Sequence, residues 1–369
     1  MMRVVFVENE DVNRDSSGGI MSYILNLSNY IINNGGETVL IGTGDVISNN
    51  EKSTNRFSSF FSISNSSSIS NFKFFIKLFM SSKLTNINKN DIIHVQRPEM
   101  VIPIFFRKRN KIVCTLHGGQ DIAVKKKKGR VIAFIYSILQ FISFLMVDQI
   151  IVVDRKNLNR YVKKYPWIKK KITLIPISVD TNKFYPINKE KLRRKYNFSQ
   201  NDRILLFVGR LEYEKNVEFL IDSFKENTDK NSKLIIVGGG SLLKSLKNKA
   251  KLNKNNIFFL GEVNNKIIPE IINMSDALVL CSYFEGSPTV VKESLCCRVP
   301  VLSTDVGDVK EVLETVNGGW IIDFSKESLL LAFDKIKFCK DEISGDVSTI
   351  FGLKKMGDKT MSIYNNFRC

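Results

Sequence analysis

Histidine is almost missing from these 369 residues: there are two, His94 and His117, and no Asp-x-Asp occurs anywhere. A dedicated metal site draws on clustered histidines, cysteines or carboxylates, so none is expected. The six cysteines (Cys114, Cys281, Cys296, Cys297, Cys339, Cys369) have no CxxC spacing, and four lie in apolar runs. They read as reduced thiols of a cytosolic protein rather than as a disulfide frame. The opening "MMRVVFVENE" is too short an apolar run for a signal peptide and reads as a first strand. The uncharged apolar run 131–147 is shorter than the roughly 20 residues that span a bilayer. Its expected place is a buried core helix, with an interfacial helix as the lesser option.

Acidic residues are scarce in the first half. Residues 1–178 carry 26 lysines and arginines against 12 acids, a net of +14, whereas 179–369 carry 29 against 25, a net of +4. The excess is concentrated in "RKRNK" (107–111), "KKKKGR" (125–130) and "KKK" (169–171). A general lysine bias does not explain this asymmetry, which points to an anionic partner of the first half. Nucleic acid is one such partner, and a basic nucleic-acid-binding protein is an alternative from a different class, but no helix-turn-helix, RRM or zinc pattern is present, so it ranks well below and no nucleic-acid partner is expected.

Hydrophobic content of 43% with 25% charged residues describes a folded chain, and its length suggests two domains. β-rich runs alternate with helical periods, the signature of parallel βαβ units. In the first half the strand candidates are 3–7, 38–42, 91–95, 111–116, 149–153 and 172–177. Between the first two, Ile20, Ile24, Leu27 and Ile31 share one helical face. A second series covers 203–209, 233–239, 256–261, 277–282, 300–304 and 319–323. The Ser/Asn-rich stretch 48–71 reads as a long excursion. The fold class is therefore α/β with two successive doubly wound domains, in which the loops after strands carry the chemistry.

Several of those loops suit phosphate. "VGRLEYEKN" sets Arg210 directly after a strand and Lys215 five residues on, so that a guanidinium and an ammonium could neutralise a diphosphate. "IVGGGS" (236–241) gives a tight turn without the dinucleotide spacing. In "YFEGSPTVVKESL" (283–295), Ser287-Pro288 reads as a helix start whose first amides attract phosphate. Glu285 precedes that turn and Glu293 lies on the helix beyond it. Two acceptors flanking a phosphate cradle suit a nucleotide sugar, with ribose on one side and hexose on the other. Glu212 and Glu214 read as solvated, and His94 as a core histidine.

Taken in order, "VGRL…K", "IVGGG", "EGSPTVVKE" and "RVPVLSTDVGDVKEVLE" resemble the C-terminal half of the family-4 retaining glycosyltransferases of the GT-B fold. "SSGGIMSYILNLSNYI" and "TLHGGQD" extend the resemblance to the first half. The resemblance implies two Rossmann-like domains facing across a cleft: 1–178 on the acceptor side and 179–349 for the donor. A C-terminal helix over about 350–369 can pack back on the first domain.

It further implies that Arg210 and Lys215 hold the donor diphosphate, that Glu293 takes the ribose hydroxyls, and that Glu285 lies by the donor sugar. Gly18-Gly19 would lie over the phosphates and His117 near the transferred sugar. Gly209, Gly239, Gly286, Ser287, Pro288, Thr289 and Val290 complete the implied donor site, with no metal and no cofactor. The expected partners are a nucleotide-sugar donor, a saccharide or polyprenyl-diphosphate-linked acceptor, and an anionic membrane surface on its cytoplasmic side. A nucleotide-sugar epimerase of the same fold is the alternative, which the scarcity of histidine disfavours. The chain departs from the family pattern in three places: Asp154 for a serine, Ile177-Ser178 for Asn-Gly, and Asp308 for the second glycine of "DVGG".

Overall fold

The computed structural model describes residues 1–11, 18–44, 57–66, 69–108, 110–227, 229–251, 256–336 and 343–367. Outside them lie Ser16 and Ser17 of the "SSGG" stretch, part of the Ser/Asn-rich excursion (48–56, 67 and 68), Arg109, Cys339 and Cys369, and also the side chains of Lys127 and Lys128.

Seven strands form the first sheet: β1 (Arg3–Asp11), β2 (Glu37–Thr43), β3 (Ser59–Ser62), β4 (Ile92–Val95), β5 (Lys111–Leu116), β6 (Gln149–Val152) and β7 (Ile172–Leu174). Their order is β3-β2-β1-β4-β5-β6-β7, and every pairing is parallel. Val4 to Val7 are all sealed from solvent, as an unbroken apolar run in a sheet covered on both faces requires. The excursion reading is corrected at β3, because Ser59–Ser62 pairs with Val39–Gly42 of β2. Its polar composition hides a short edge strand.

The second sheet holds β8 (Arg203–Val208), β9 (Ser232–Val237), β10 (Ile257–Gly261), β11 (Ala277–Leu280), β12 (Val301–Thr304) and β13 (Gly319–Ile322). The order is β10-β9-β8-β11-β12-β13, again parallel throughout. By contacts the chain divides into two units, Met1–Ile177 with Leu353–Cys369, and Ser178–Gly352. Each has apolar clusters on both faces of its sheet. Two of the departures from the family pattern have local reasons here. Asp154 caps the helix Arg155–Lys164 by accepting from the Asn157 backbone N–H at 2.7 Å. Ile177 ends the first unit inside its core, and Ser178 begins the second.

Helix Leu353–Asn365 returns to the first unit and packs on helix Gly19–Asn33. A Cβ on Gly357 would lie 2.3 Å from the Tyr30 ring, so the two helices meet nearly backbone to ring. The Tyr30 hydroxyl donates to Asp358, and Tyr364 OH bonds His94 Nδ1 at 2.5 Å. His94 Nε2 pairs with Thr115 Oγ1 at 2.7 Å, and burial pushes the imidazole down to about 3. His94 is thus a neutral core histidine.

The segment 131–147 is not the expected core helix. It lies in helix Gln120–Met146, which is interrupted at Gly129 (φ 85°), and only 17% of residues 129–146 are buried. Tyr364→Ala is expected to cost about 3–5 kcal/mol of stability by emptying a buried aromatic site and orphaning His94. Denaturant unfolding of the variant checks this; an unchanged midpoint would mean that the last helix does not hold the first unit together.

Candidate functional site

In open parallel sheets a ligand sits beyond the carboxyl ends of the strands, where the strand order reverses. In the second sheet that reversal lies between β8 and β11. The loop after β8 carries Gly209 to Lys215, and the loop after β11 carries Ser282 to Pro288. Lys215 forms an ion pair with Glu285 Oε1, and Ser282 Oγ donates to the same oxygen at 2.8 Å. Arg210, largely exposed, pairs with Glu214 at 3.2 Å. The two cations proposed for a diphosphate are therefore held at this edge by carboxylates, which fixes their positions and offsets their charge.

Backbone contact ties the neighbouring loops together. Gly238 (φ 132°) packs so tightly that a Cβ there would lie 1.9 Å from the Gly209 carbonyl oxygen. Leu211 N–H donates to the Gly239 carbonyl at 2.7 Å. Glu212 stays partly exposed, and its carboxylate accepts from the Ser241 N–H (2.9 Å) and hydroxyl (2.7 Å). Glu214, expected on the surface, is buried.

The helix carrying Glu293 runs Thr289–Cys296, with Pro288 as its N-cap rather than its first turn. The first N–H groups of such a helix have no intrahelical acceptor. Inside it lies a side chain that sequence reasoning missed. Lys292, 1% exposed, donates to Ser287 Oγ (2.6 Å) and to Asp308 Oδ2 (2.9 Å). Ser287 Oγ donates to the same Asp308 oxygen at 2.6 Å. Asp308 N–H donates to the Gly286 carbonyl at 3.1 Å, and Gly307 (φ 55°) is pressed against that carbonyl. Asp308 thus stands in place of a glycine because a buried ammonium requires a counter-charge. The signal was present in the sequence: a lysine between Val291 and Leu295, on the buried face of an apolar helix.

Glu293 sits on the same helix, and burial pushes its carboxyl up to about 7, opposed by Lys183 and Thr289. In the first unit, Gly18 is the N-cap of helix Gly19–Asn33, and nothing crowds Gly19. His117 Nε2 lies 2.8 Å from Gln96 Oε1, and its ring meets Tyr23 edge-on at 4.9 Å. Gln96 Nε2 points at the His94 carbonyl (3.4 Å), so Oε1 accepts from His117 Nε2–H and leaves Nδ1 as an acceptor. Burial and the Arg97 charge push His117 down to about 3, so it stays neutral. Sequence reasoning also missed the loop after β4: Arg97 pairs with buried Glu8 at 2.8 Å, and Tyr136 OH donates to Glu99 at 3.2 Å. The rule that loops after strands carry polar function would have found "QRPE". Among the described residues no three His, Cys, Asp or Glu side chains gather as a metal site would.

Lys292→Met is expected to cost about 3–5 kcal/mol, because it leaves Asp308 buried and unpaired. Adding Asp308→Gly should restore most of it; chemical unfolding of both variants, with no recovery in the pair, would contradict this account. Glu293 gives a pH test. A carboxyl raised in the fold stabilises it while protonated, so its contribution is present below the ordinary 4.5 and lost as pH rises toward 7. Glu293→Gln should therefore melt roughly a few degrees higher than the parent at pH 8 and match it at low pH. The reverse trend would mean an ionised, well-solvated Glu293.

The family model described as Glycosyltransferase Family 4 matches residues 17–183, and the model described as Glycosyl transferases group 1 matches 188–342. An uncharacterized glycosyltransferase of Methanocaldococcus jannaschii is 35% identical over 164 residues, covering 43% of this chain and 40% of that protein. The UDP-Gal:alpha-D-GlcNAc-diphosphoundecaprenol alpha-1,3-galactosyltransferase of Escherichia coli is 26% identical over 321 residues, covering 81% of each chain. Sucrose-phosphate synthase from Thermosynechococcus elongatus superposes with a TM-score of 0.85 at 16% identity, over 99% of both chains. With two adjoining family models that together cover most of the chain and this match of fold, the chain belongs to the group 1 glycosyltransferases of the GT-B type.

Proposed function

We propose that this hexosyltransferase moves a sugar from a nucleoside diphosphate to a saccharide acceptor, with retention at the anomeric carbon. The acceptor is carried on a polyprenyl diphosphate, and the product enters a bacterial surface polysaccharide such as O-antigen, capsule or exopolysaccharide. The observation that carries the donor reading is Arg210, Lys215 and Glu285 together at the switch point of the second sheet. The Escherichia coli relative is named for a UDP-sugar donor and a diphosphoundecaprenol acceptor, which supports the donor and acceptor classes. The net +14 of residues 1–178 supports a cytoplasmic enzyme held at an anionic membrane, with the acceptor on the first unit.

In this reading the donor diphosphate displaces Glu285 from Lys215 and Glu214 from Arg210. The acceptor oxygen bonds to the anomeric carbon as the bond to the diphosphate breaks, on the same face. The departing phosphate oxygen takes the acceptor's proton. Negative charge grows on the leaving group, and the two cations with the Thr289 and Val290 amides stabilise it. The Ser287 hydroxyl is committed to Asp308, so only the backbone of Ser287 serves the donor. Gly209, Gly239 and Gly286 let backbone approach the phosphates. Glu293 takes the ribose, and His117 offers a neutral Nδ1 to a sugar hydroxyl. Glu285 is not a nucleophile in this mechanism.

Incubation with a panel of nucleotide sugars, read by nucleoside diphosphate release, tests the proposal. Arg210→Ala and Lys215→Ala should each lower turnover by roughly 10²-fold or more. Glu285→Gln, which frees Lys215, should tighten nucleoside diphosphate binding while lowering transfer. Near-normal turnover in both folded alanine variants removes the assignment.

A further inference from the structure

The segment Arg130–Met146 buries one face, with Gln140, Ser143 and Phe144, in the first unit and leaves an apolar face open. Phe144 of the inner face lies in the core against Tyr161 and Tyr165. Val131, Phe134, Ile135, Ile138, Phe141 and Leu145 recur at helical spacing on the other face and are all exposed, Val131 at 76% and Phe134 at 68%. A helix face turned to water ordinarily carries charge, yet 131–147 contains no charged residue. Such a contiguous apolar patch marks a contact surface.

Charge at the rim of this face indicates what covers it. Lys125, Lys126 and Arg130 are exposed at one end. At the side, Phe141 meets the half-exposed Trp167 edge-on at 6.0 Å. Lys171 lies over the Trp167 ring at 5.4 Å, and Lys169 and Lys170 beside it are exposed. Lys164 Nζ also reaches back to Ser137 Oγ at 2.8 Å. An uncharged apolar face bordered by lysines, with a tryptophan at the border, is the chemistry of an amphipathic helix in a bilayer interface.

We infer that Arg130–Met146 lies flat in an anionic lipid surface, its outer face among the acyl chains and the surrounding lysines on lipid headgroups. It does not cross the bilayer, because its inner face is spent on the protein core and its rise of about 1.5 Å per residue falls short of a ~30 Å hydrocarbon layer. This deepens the membrane reading given under the proposed function and rests on it for the lipid-linked acceptor. It replaces attachment by charge alone with insertion of a defined face.

The test is sedimentation of the full chain with vesicles of equal parts phosphatidylcholine and phosphatidylglycerol, and with phosphatidylcholine alone. Binding to the mixed vesicles at low salt is expected, with a blue shift in tryptophan fluorescence that Trp167→Phe removes. Phe134→Ser with Ile138→Ser should weaken binding by about tenfold or more without lowering the melting temperature, since both side chains are exposed. Lys169→Ser with Lys170→Ser should weaken it at low salt and flatten its salt dependence.

The inference is overturned if no vesicles sediment the protein, or if the Phe134/Ile138 variant binds as well as the parent. It is also overturned if sedimentation velocity finds a dimer that this variant dissolves, because a second copy would then cover the face. Nucleoside diphosphate titration without lipid separates the two readings. Its failure would remove the transferase proposal and leave the vesicle result standing.

Discussion

A fully buried lysine ammonium is tolerable only when its charge is matched, and Lys292 sets the second unit's candidate site through that requirement. Its partners Ser287 and Asp308 lie in the loops after β11 and β12, so one cation joins the helix Thr289–Cys296 to both. Asp308 then brings its N–H to the Gly286 carbonyl, and Gly307 must take a positive φ to let the two backbones meet. The turn so fixed carries Glu285 against Lys215, whose own loop is pinned to the loop after β9 by Gly238. Four loops at one sheet edge are thereby positioned by buried contacts rather than by a ligand. Preorganisation of this kind lets fixed cations act on developing charge without reorganising.

Legibility in the sequence followed the physics of each feature. Strands β1, β2 and β4 to β13 were readable as apolar runs, nearly continuous where a strand is covered on both faces. β3 was not, because Ser59–Ser62 sits at the sheet edge in a polar tract, where half-burial demands little apolar surface. The loops holding Arg210, Lys215 and Glu285 were legible from the rule that ligands gather beyond strand ends. What each side chain does there was not. Glu212 and Glu214 read as solvated acids, yet one tethers Ser241 and the other is buried beside Arg210. Composition alone also placed 131–147 in the core, since apolarity shows a face that avoids water but not which neighbour covers it.

The two units differ in electrostatic character. Around the switch point of the second sheet, Arg210, Lys215 and Lys292 each have a carboxylate partner, so an incoming anion must exchange partners with them. In the first unit, burial keeps His94 and His117 uncharged, and Arg97 is neutralised by Glu8. The unit's positive charge lies instead on its surface, part of it bordering the exposed apolar helix face.

The central claim, that Arg210 and Lys215 await a diphosphate at the edge between β8 and β11, is tested most directly by calorimetric titration. Nucleoside diphosphates and the matching monophosphates would be compared in the parent protein and in Lys215→Ala. The account predicts a marked preference of the parent for the diphosphate that largely disappears in the variant. Equal affinity for mono- and diphosphates in the parent, or a preference that survives the loss of Lys215, would contradict it.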